Sequence, residues 1–295
     1  MCGVGPEDPD QLTESGHELL ERYELDGDAE NLRWARAAYE RALLLAGPSA
    51  DRSVYLNNLG GCLRLVYEES RDLADLAEAM AVLEAAVNQR KPGSAERAMP
   101  LDNLGLALRD LYAATGDVAH LRRAARLHEE AVTTAAEGPD RTLYVNNLGG
   151  ARWELYKYAG DRADLEEAVA LFDQAVRATP ADSTDLPMRL ANLAASLRDS
   201  FLETGDMAVL DRALTAVRDA VGSSPAGAAD RPRQAQLPRR HPLRAIQAHQ
   251  QRDRSQRIGR CAPAGCRADA ARKRPERGLD AQPRPGPARP LRTHR

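Results

Sequence analysis

The chain has 295 residues, 43% of them hydrophobic and 4% aromatic, with a formal net charge of −3. It is long enough to bury a core, but with two Trp and two Phe that core must be packed largely by Ala and Leu, which favours helices in close contact. No apolar run is long enough for a transmembrane span, and the acidic N-terminal residues are unlike a signal or transit peptide, so we expect a cytoplasmic protein.

An internal repeat follows a short N-terminal segment, residues 1–9, which we expect to be disordered. Five copies between Gly16 and Val221 are offset by 44, 45, 44 and 45 residues. Each has an aromatic residue followed nine residues later by a leucine: Tyr23, Tyr67, Tyr112, Tyr156 and Phe201, then Leu32, Leu76, Leu121, Leu165 and Leu210. A period of this length is typical of stacked structural repeats, and the array is predicted over residues 10–233.

Each copy predicts two helices joined by a polar link. In the second copy Leu56, Leu59 and Leu63 recur at helical spacing, and Ala79 and Leu83 do so after the link. The links are Gly27-Asp28, Arg71-Asp72, Gly116-Asp117, Gly160-Asp161 and Gly205-Asp206. Glycine ends a helix at little cost, and aspartate can accept the first amides of the next one. The predicted fold is therefore all-α, an α-solenoid of stacked antiparallel helix hairpins with a concave surface.

These motifs resemble the tetratricopeptide repeat (TPR), whose signature appears here as Asn58-Leu59-Gly60, Ala79-x3-Leu83-x2-Ala86 and Pro92. The copies are about ten residues longer than the usual unit of about 34. Long units of this kind resemble arrays in actinobacterial proteins, where they often precede a caspase-like CHAT peptidase domain. The resemblance implies a non-enzymatic scaffold or adaptor that binds a protein or peptide along its concave surface. An alternative is the regulatory or sensor portion of a CHAT-type protease system whose catalytic domain is lost.

A basic segment, residues 234–295, follows the array. Residues 222–295 carry 18 Lys and Arg against 5 acids, whereas the residues upstream carry 23 against 39. Its Arg, Pro and Ala content predicts disorder. Codons for Arg239-Arg240 and Ile246, read one base later, can encode the Ala-Ala and Phe of the repeat, so we hypothesise that residues after about Arg233 are an out-of-frame sixth repeat. The alternative is a genuine basic arm that binds nucleic acid.

Asparagines form the most informative polar column: Asn58, Asn103, Asn147 and Asn192. In TPR proteins, to which this array is similar, this position lines the inner surface. A carboxamide donates and accepts, so the column can hold an extended peptide by its backbone; equally, it can tie neighbouring helices together, and the two roles are compatible. Six residues further on stand Arg64, Arg109, Trp153 and Arg198, predicted to add carboxylate pairing and one aromatic anchor. For Trp34 and Trp153, packing between hairpins is the competing expectation.

Catalytic, cofactor and metal sites are not predicted. The sequence has no Gly-rich phosphate loop, no His-Glu-x-x-His and no nucleophile elbow. His17, His120 and His128 are isolated in sequence, and His128 occupies the repeat position of Leu83 and Phe172, which predicts a packed core residue. The cysteines lack the spacing of a zinc site: Cys2, Cys62, Cys261 and Cys266. We expect a protein or peptide partner, and neither a membrane nor a nucleic acid.

Overall fold

The computed structural model describes residues 8–47 and 52–223, which form ten α-helices, one short 3-10 helix and no strand. The helices are α1 (Pro9–Asp26), α2 (Ala29–Ala46), α3 (Arg52–Ser70), α4 (Leu73–Asn88), α5 (Ala98–Thr115), α6 (Val118–Thr134), α7 (Pro139–Ala159), α8 (Arg162–Arg177), α9 (Leu186–Thr204) and α10 (Met207–Ser223). The 3-10 helix spans Ala95–Arg97, just before α5.

The helices pair in chain order as five hairpins, each an odd-numbered helix followed by an even-numbered one. Each even-numbered helix also packs against the odd-numbered helix of the next hairpin. Odd-numbered helices contact one another across successive hairpins more than even-numbered helices do, which places them on the inner side of the stack. The described chain is an α-solenoid of helix hairpins, as the repeat period predicts.

The aspartates of the links cap the second helix of every hairpin. The carboxylates of Asp28, Asp72, Asp117, Asp161 and Asp206 each accept the backbone N–H two residues on, at 2.9–3.0 Å. The residue before each cap has a left-handed backbone, with φ between 62° and 80°. Because four of these five residues are glycine, the turn is free of Cβ strain everywhere except in the second copy. The predicted capping role is confirmed.

A glycine column lets each even-numbered helix place a large side chain against the backbone of its hairpin partner. A Cβ built at Gly60 would lie 2.5 Å from Cγ of Leu83. The same pairing, always 23 residues apart, recurs at Gly16 and Tyr39, at Gly105 and His128, and at Gly149 and Phe172. In the last hairpin the equivalent residues are Ala194 and Val217, so the larger Ala is matched by a smaller partner.

The described residues begin close to the predicted start of the array. Asp8 caps α1, accepting the backbone N–H of Asp10 at 3.0 Å, and α1 starts at Pro9 rather than at residue 10. Residues 1–7 and 224–295 lie outside the described residues, together with the expected disorder of both ends, the basic segment and the reading-frame hypothesis. Cys62 is a buried free thiol; the other three cysteines are also outside the described ranges.

Candidate binding surface of the odd-numbered helices

The exposed side of the odd-numbered helices is organised in rows. Side chains at i, i+4 and i+7 share one helix face, and equivalent positions of successive copies are neighbours across the stack. The first row, which we call the apolar row, is Val54, Met99, Leu143 and Met188. The second, the asparagine row, is the predicted column Asn58, Asn103, Asn147 and Asn192. The third is Gly61, Leu106, Gly150 and Ala195.

The side chains of the apolar row are exposed. Its four members are between 39% and 46% exposed. Asn192 Nδ2 lies 3.3 Å from Sδ of Met188, so the apolar and asparagine rows are in contact. Sequence reasoning missed this row, although its spacing of 45, 44 and 45 residues is the repeat period and could have revealed it.

The asparagine row joins successive odd-numbered helices. Asn103 Nδ2 donates to Asn57 Oδ1 at 2.8 Å, and Asn147 Nδ2 donates to Asp102 Oδ2 at the same distance. Asn192 Nδ2 donates to Asn146 Oδ1 at 3.2 Å. Every acceptor immediately precedes the asparagine-row residue of the hairpin before, so one polar contact recurs at three successive seams. The expectation that these residues tie neighbouring helices together is thus met geometrically.

The same side chains keep part of their hydrogen-bonding capacity. Each bond uses one amide hydrogen, and the Oδ1 atoms of Asn103 and Asn192 accept no hydrogen bond from any described residue. Both residues are half-buried, whereas Asn147 is only 8% exposed. Asn58, in α3, makes no side-chain hydrogen bond within the described ranges and is also half-buried. A ligand backbone can therefore reach the row at three of its four positions.

The arginine row is our name for Arg64, Arg109, Trp153 and Arg198, and its first three members form a second set of ties between hairpins. Arg64 Nη1 lies 3.2 Å from Asp110 Oδ2, and Arg109 makes a two-pronged contact with Glu154 at 2.7 and 3.2 Å. Burial raises the pKa of Asp110, and the Arg64 charge opposes that shift. Sequence reasoning missed the acids Asp110 and Glu154. Their carboxylates pair with Arg64 and Arg109, the two cations expected to bind a ligand carboxylate.

Trp153 is the core member of this row, at 1% exposure, and its Nε1 donates to Asp199 Oδ2 at 2.9 Å. The Lys157 ammonium lies 3.6 Å from the centre of the Trp153 indole and 3.7 Å from Asp199 Oδ2. Burial lowers the pKa of Lys157 to about 8, against the charge of Asp199. Arg198 is paired with Asp199 at 2.7 Å. Trp153 therefore packs between hairpins in this structure and is not presented as an exposed anchor.

Trp34, unlike Trp153, does not pack between hairpins. Its side chain lies on α2 and is 62% exposed, so the prediction that it packs between hairpins is wrong. The repeat explains the difference, because the equivalent positions of the later copies are all charged: Glu78, Arg123, Glu167 and Arg212.

His128 is a core residue, as predicted, with no exposed surface. It is not isolated, however: its Nδ1 lies 2.6 Å from Asp102 Oδ1, and the carboxylate acceptor requires the proton to be on Nδ1. The second and fourth copies have Asn57 and Asn146 at the Asp102 position, opposite Leu83 and Phe172. Asp and His thus occur together in one hairpin, where the carboxylate is shared between His128 and Asn147.

Within residues 8–47 and 52–223, no helix could cross a membrane, and no group of three His, Cys, Asp or Glu side chains could hold a metal ion.

No known family model matches the sequence, and no curated protein does. Among solved structures the chain is similar to the nearly identical TPR-like repeats of a protein assigned as a kinesin light chain in Podosopora anserina, with 20% identity, 72% of this chain and 97% of that chain covered, and a TM-score of 0.49. It is similar to BtubC from P. vanneervenii, with 15% identity, 73% and 89% coverage and a TM-score of 0.49. A TPR repeats protein from Bacteroides fragilis gives 18% identity, 83% and 98% coverage and a TM-score of 0.28.

Proposed function

We propose that the protein is a non-enzymatic scaffold that binds an extended segment of another protein along its odd-numbered helices. The observation that carries this proposal is the apolar row beside the asparagine row on four successive odd-numbered helices, α3, α5, α7 and α9. Apolar side chains supply most of the affinity in peptide recognition, and carboxamides that accept backbone N–H groups fix the chain without selecting its side chains.

The arginine row has a supporting role in this proposal. Arg64 and Arg109 are held by Asp110 and Glu154, so each reaches a ligand only by sharing its charge. Arg198 is half exposed and is the member best placed to pair with a ligand carboxylate. A Cβ at Gly61 would meet no heavy atom within 4 Å, so this residue leaves room for a ligand backbone between the asparagine row and Arg64, whereas the space at Gly150 is filled by the Arg109 guanidinium.

The test is selection of binding peptides from a displayed random library on the full chain. The double substitution Met99→Asp with Leu143→Asp should lower the affinity of selected peptides by about tenfold or more, because it removes two exposed apolar contacts. Leu25→Asp is the matched control, since Leu25 is 72% exposed on α1, outside the rows. Unchanged binding by the double variant, with the control also unchanged, contradicts the proposal.

Asn58→Ala is a second, cleaner probe of the asparagine row. Asn103→Ala and Asn147→Ala each remove a tie between helices and so reduce stability as well as binding. Asn58 has no such bond to a described residue, so its loss should weaken binding while the unfolding midpoint stays unchanged.

The two other functions considered from sequence stay predictions. Nucleic-acid binding depends on the basic segment, which lies outside the described residues. A regulatory role in a CHAT-type protease system depends on gene context and has no counterpart among the described contacts.

A further inference from the structure

The last helix carries apolar side chains that are more exposed than the apolar side chains at the same repeat positions elsewhere. On α10, Leu214, Val217 and Val221 are 43%, 49% and 73% exposed. The equivalent of Val217 in α8 is Phe172, which is 1% exposed, and the equivalent of Leu214 in α6 is Ala125, which is 4% exposed. The position of Val221 is Val87 in α4, which is 6% exposed.

What covers these positions in the earlier copies is always the same element. The core cluster around Leu83 of α4 includes Leu101, Leu104 and Leu108 from α5. The cluster around Phe172 of α8 includes Leu190, Leu193 and Leu197 from α9. α4 and α8 are therefore each sealed by a leucine stripe on the first helix of the following hairpin, and α6 is sealed by Leu148, Ala151 and Leu155 of α7.

The corresponding surface on the last hairpin is an apolar groove of about 590 Å³. Its walls are Leu210, Leu214, Val217 and Val221 on α10, and Pro187, Ala191, Ala194 and Ala195 on α9. The groove continues the series of seams between hairpins, with the same side-chain chemistry and the same two helices forming it.

The opposite end of the array lacks such a surface. The column Leu59, Leu104, Leu148 and Leu193, which seals the preceding even-numbered helix, has Ser15 in α1. Ser15 is exposed, and its exposed neighbours Gln11, Glu14 and Glu18 are polar. α1 thus ends the array with a polar face, and it has no leucine stripe to offer to the groove of a second copy.

The sequence after α10 retains the start of another copy. Arg52 and Arg141, near the start of α3 and α7, each donate to a backbone carbonyl nine residues earlier, at Leu43 and Val132. Asp230-Arg231 repeats Asp140-Arg141 two copies on, and Arg231 lies ten residues after Val221, the repeat equivalent of Leu43 and Val132, so the spacing is longer by one residue. The repeat register therefore runs past α10 toward a further first helix.

We propose that the α9–α10 groove binds a further helix hairpin of the same repeat type, whose first helix carries the leucine stripe found in α3, α5 and α9. The occupant is thus an amphipathic helix that extends the stack by one unit. It is neither the basic segment of this chain nor a second copy docked through α1.

The test is thiol labelling of the full chain carrying Val217→Cys, measured by peptide mass spectrometry so that the native cysteines do not interfere. A second chain has the same substitution and an added copy of residues 179–223 inserted after Ser223. We expect the introduced thiol to react fast in the first chain and roughly tenfold or more slowly in the second. Leu25→Cys is the matched control, because Leu25 is 72% exposed on α1 at the other end of the array, and should react equally in both chains.

Three results overturn the proposal. Equal labelling of both Val217→Cys chains means that the added hairpin does not dock. Slow labelling of the first chain at every protein concentration means that residues 224–295 cover the groove. Slow labelling that appears only as the protein concentration rises means that a second copy of the chain covers the groove.

A stability measurement gives an independent readout. The inserted hairpin should raise the unfolding midpoint of the full chain, because each repeat is stabilised by its neighbours. Leu214→Asp should remove most of that increase while changing the parent chain little, since Leu214 is 43% exposed there. An increase that survives Leu214→Asp contradicts docking through this groove.

Discussion

The helices α8 and α10 occupy the same place in the repeat but have different surroundings. Phe172 of α8 is 1% exposed because α9 packs over it, and Val217, its equivalent in α10, is 49% exposed. The burial of a side chain on an even-numbered helix therefore depends on the next hairpin as much as on its own. In such a linear array, stability is the sum of each unit and its contacts with its neighbours.

The largest expected difference between these helices is in truncation of that side chain. Phe172→Ala should lower the free energy of unfolding by about 3–5 kcal/mol, because it leaves a cavity against Gly149 and Trp153. Val217→Ala should cost about 1 kcal/mol or less, because half of the side chain is already in water. Urea unfolding followed by circular dichroism measures both. Similar losses of unfolding free energy in the two variants would contradict the expected difference between α8 and α10.

The glycine column provides the next largest effect. Gly60→Ala should cost about 1–3 kcal/mol, since the new Cβ would lie 2.5 Å from Cγ of Leu83 and force a shift. The last hairpin already has alanine at this position, Ala194, and its partner is the smaller Val217. Tight packing of this column is thus expected in the middle hairpins and not in the last.

Gly61→Ala is the control for that substitution. A Cβ at Gly61 has no heavy atom within 4 Å, so the change should raise the free energy of unfolding by up to about 1 kcal/mol through helix propensity alone. A loss at Gly61 as large as at Gly60 would show that the effect comes from the helix and not from contact with Leu83.

The links between paired helices give a smaller effect. Arg71 has φ 62°, whereas the equivalent Gly116 has φ 75° without Cβ strain. Arg71→Gly should therefore stabilise the protein by about 1 kcal/mol, and Gly116→Arg should destabilise it by a similar amount. Thermal unfolding of the two variants measures this, and a loss of stability in Arg71→Gly would contradict it.

The last predicted effect is a pH dependence at the seam between α7 and α9. The pKa of Lys157 falls to about 8 in the folded chain and returns to about 10.5 on unfolding. Between these values the unfolded state binds more protons, so Lys157 contributes a free energy of unfolding that rises with pH. Relative to Lys157→Met, the parent chain should gain stability from about pH 7.5 to about pH 9.5. A constant difference over this range would exclude the shift.

Most of the fold could be predicted from the sequence because its determinants are local and repeated. The capping aspartates, the glycines before them and the alanine columns act within one hairpin, so their spacing alone identifies them. The exposure of Trp34 could not be obtained from composition, because it depends on whether its face of α2 is covered.

The polar contacts of the candidate surface were harder to predict. Asn103 bonds to Asn57, and Arg109 to Glu154, across seams whose register the sequence does not specify to one residue. The partner of each side chain lies 45 or 46 residues away, and a shift by one position would pair different groups. The apolar row, by contrast, follows the repeat period and could have been found from it.

Native-state hydrogen exchange, resolved by helix, tests most directly the claim that each even-numbered helix is stabilised by the hairpin after it. The account predicts slow exchange in α5 to α8 and much faster exchange in α10, whose outer side chains are exposed. Exchange in α10 as slow as in α8, or uniform across all ten described helices, would contradict it.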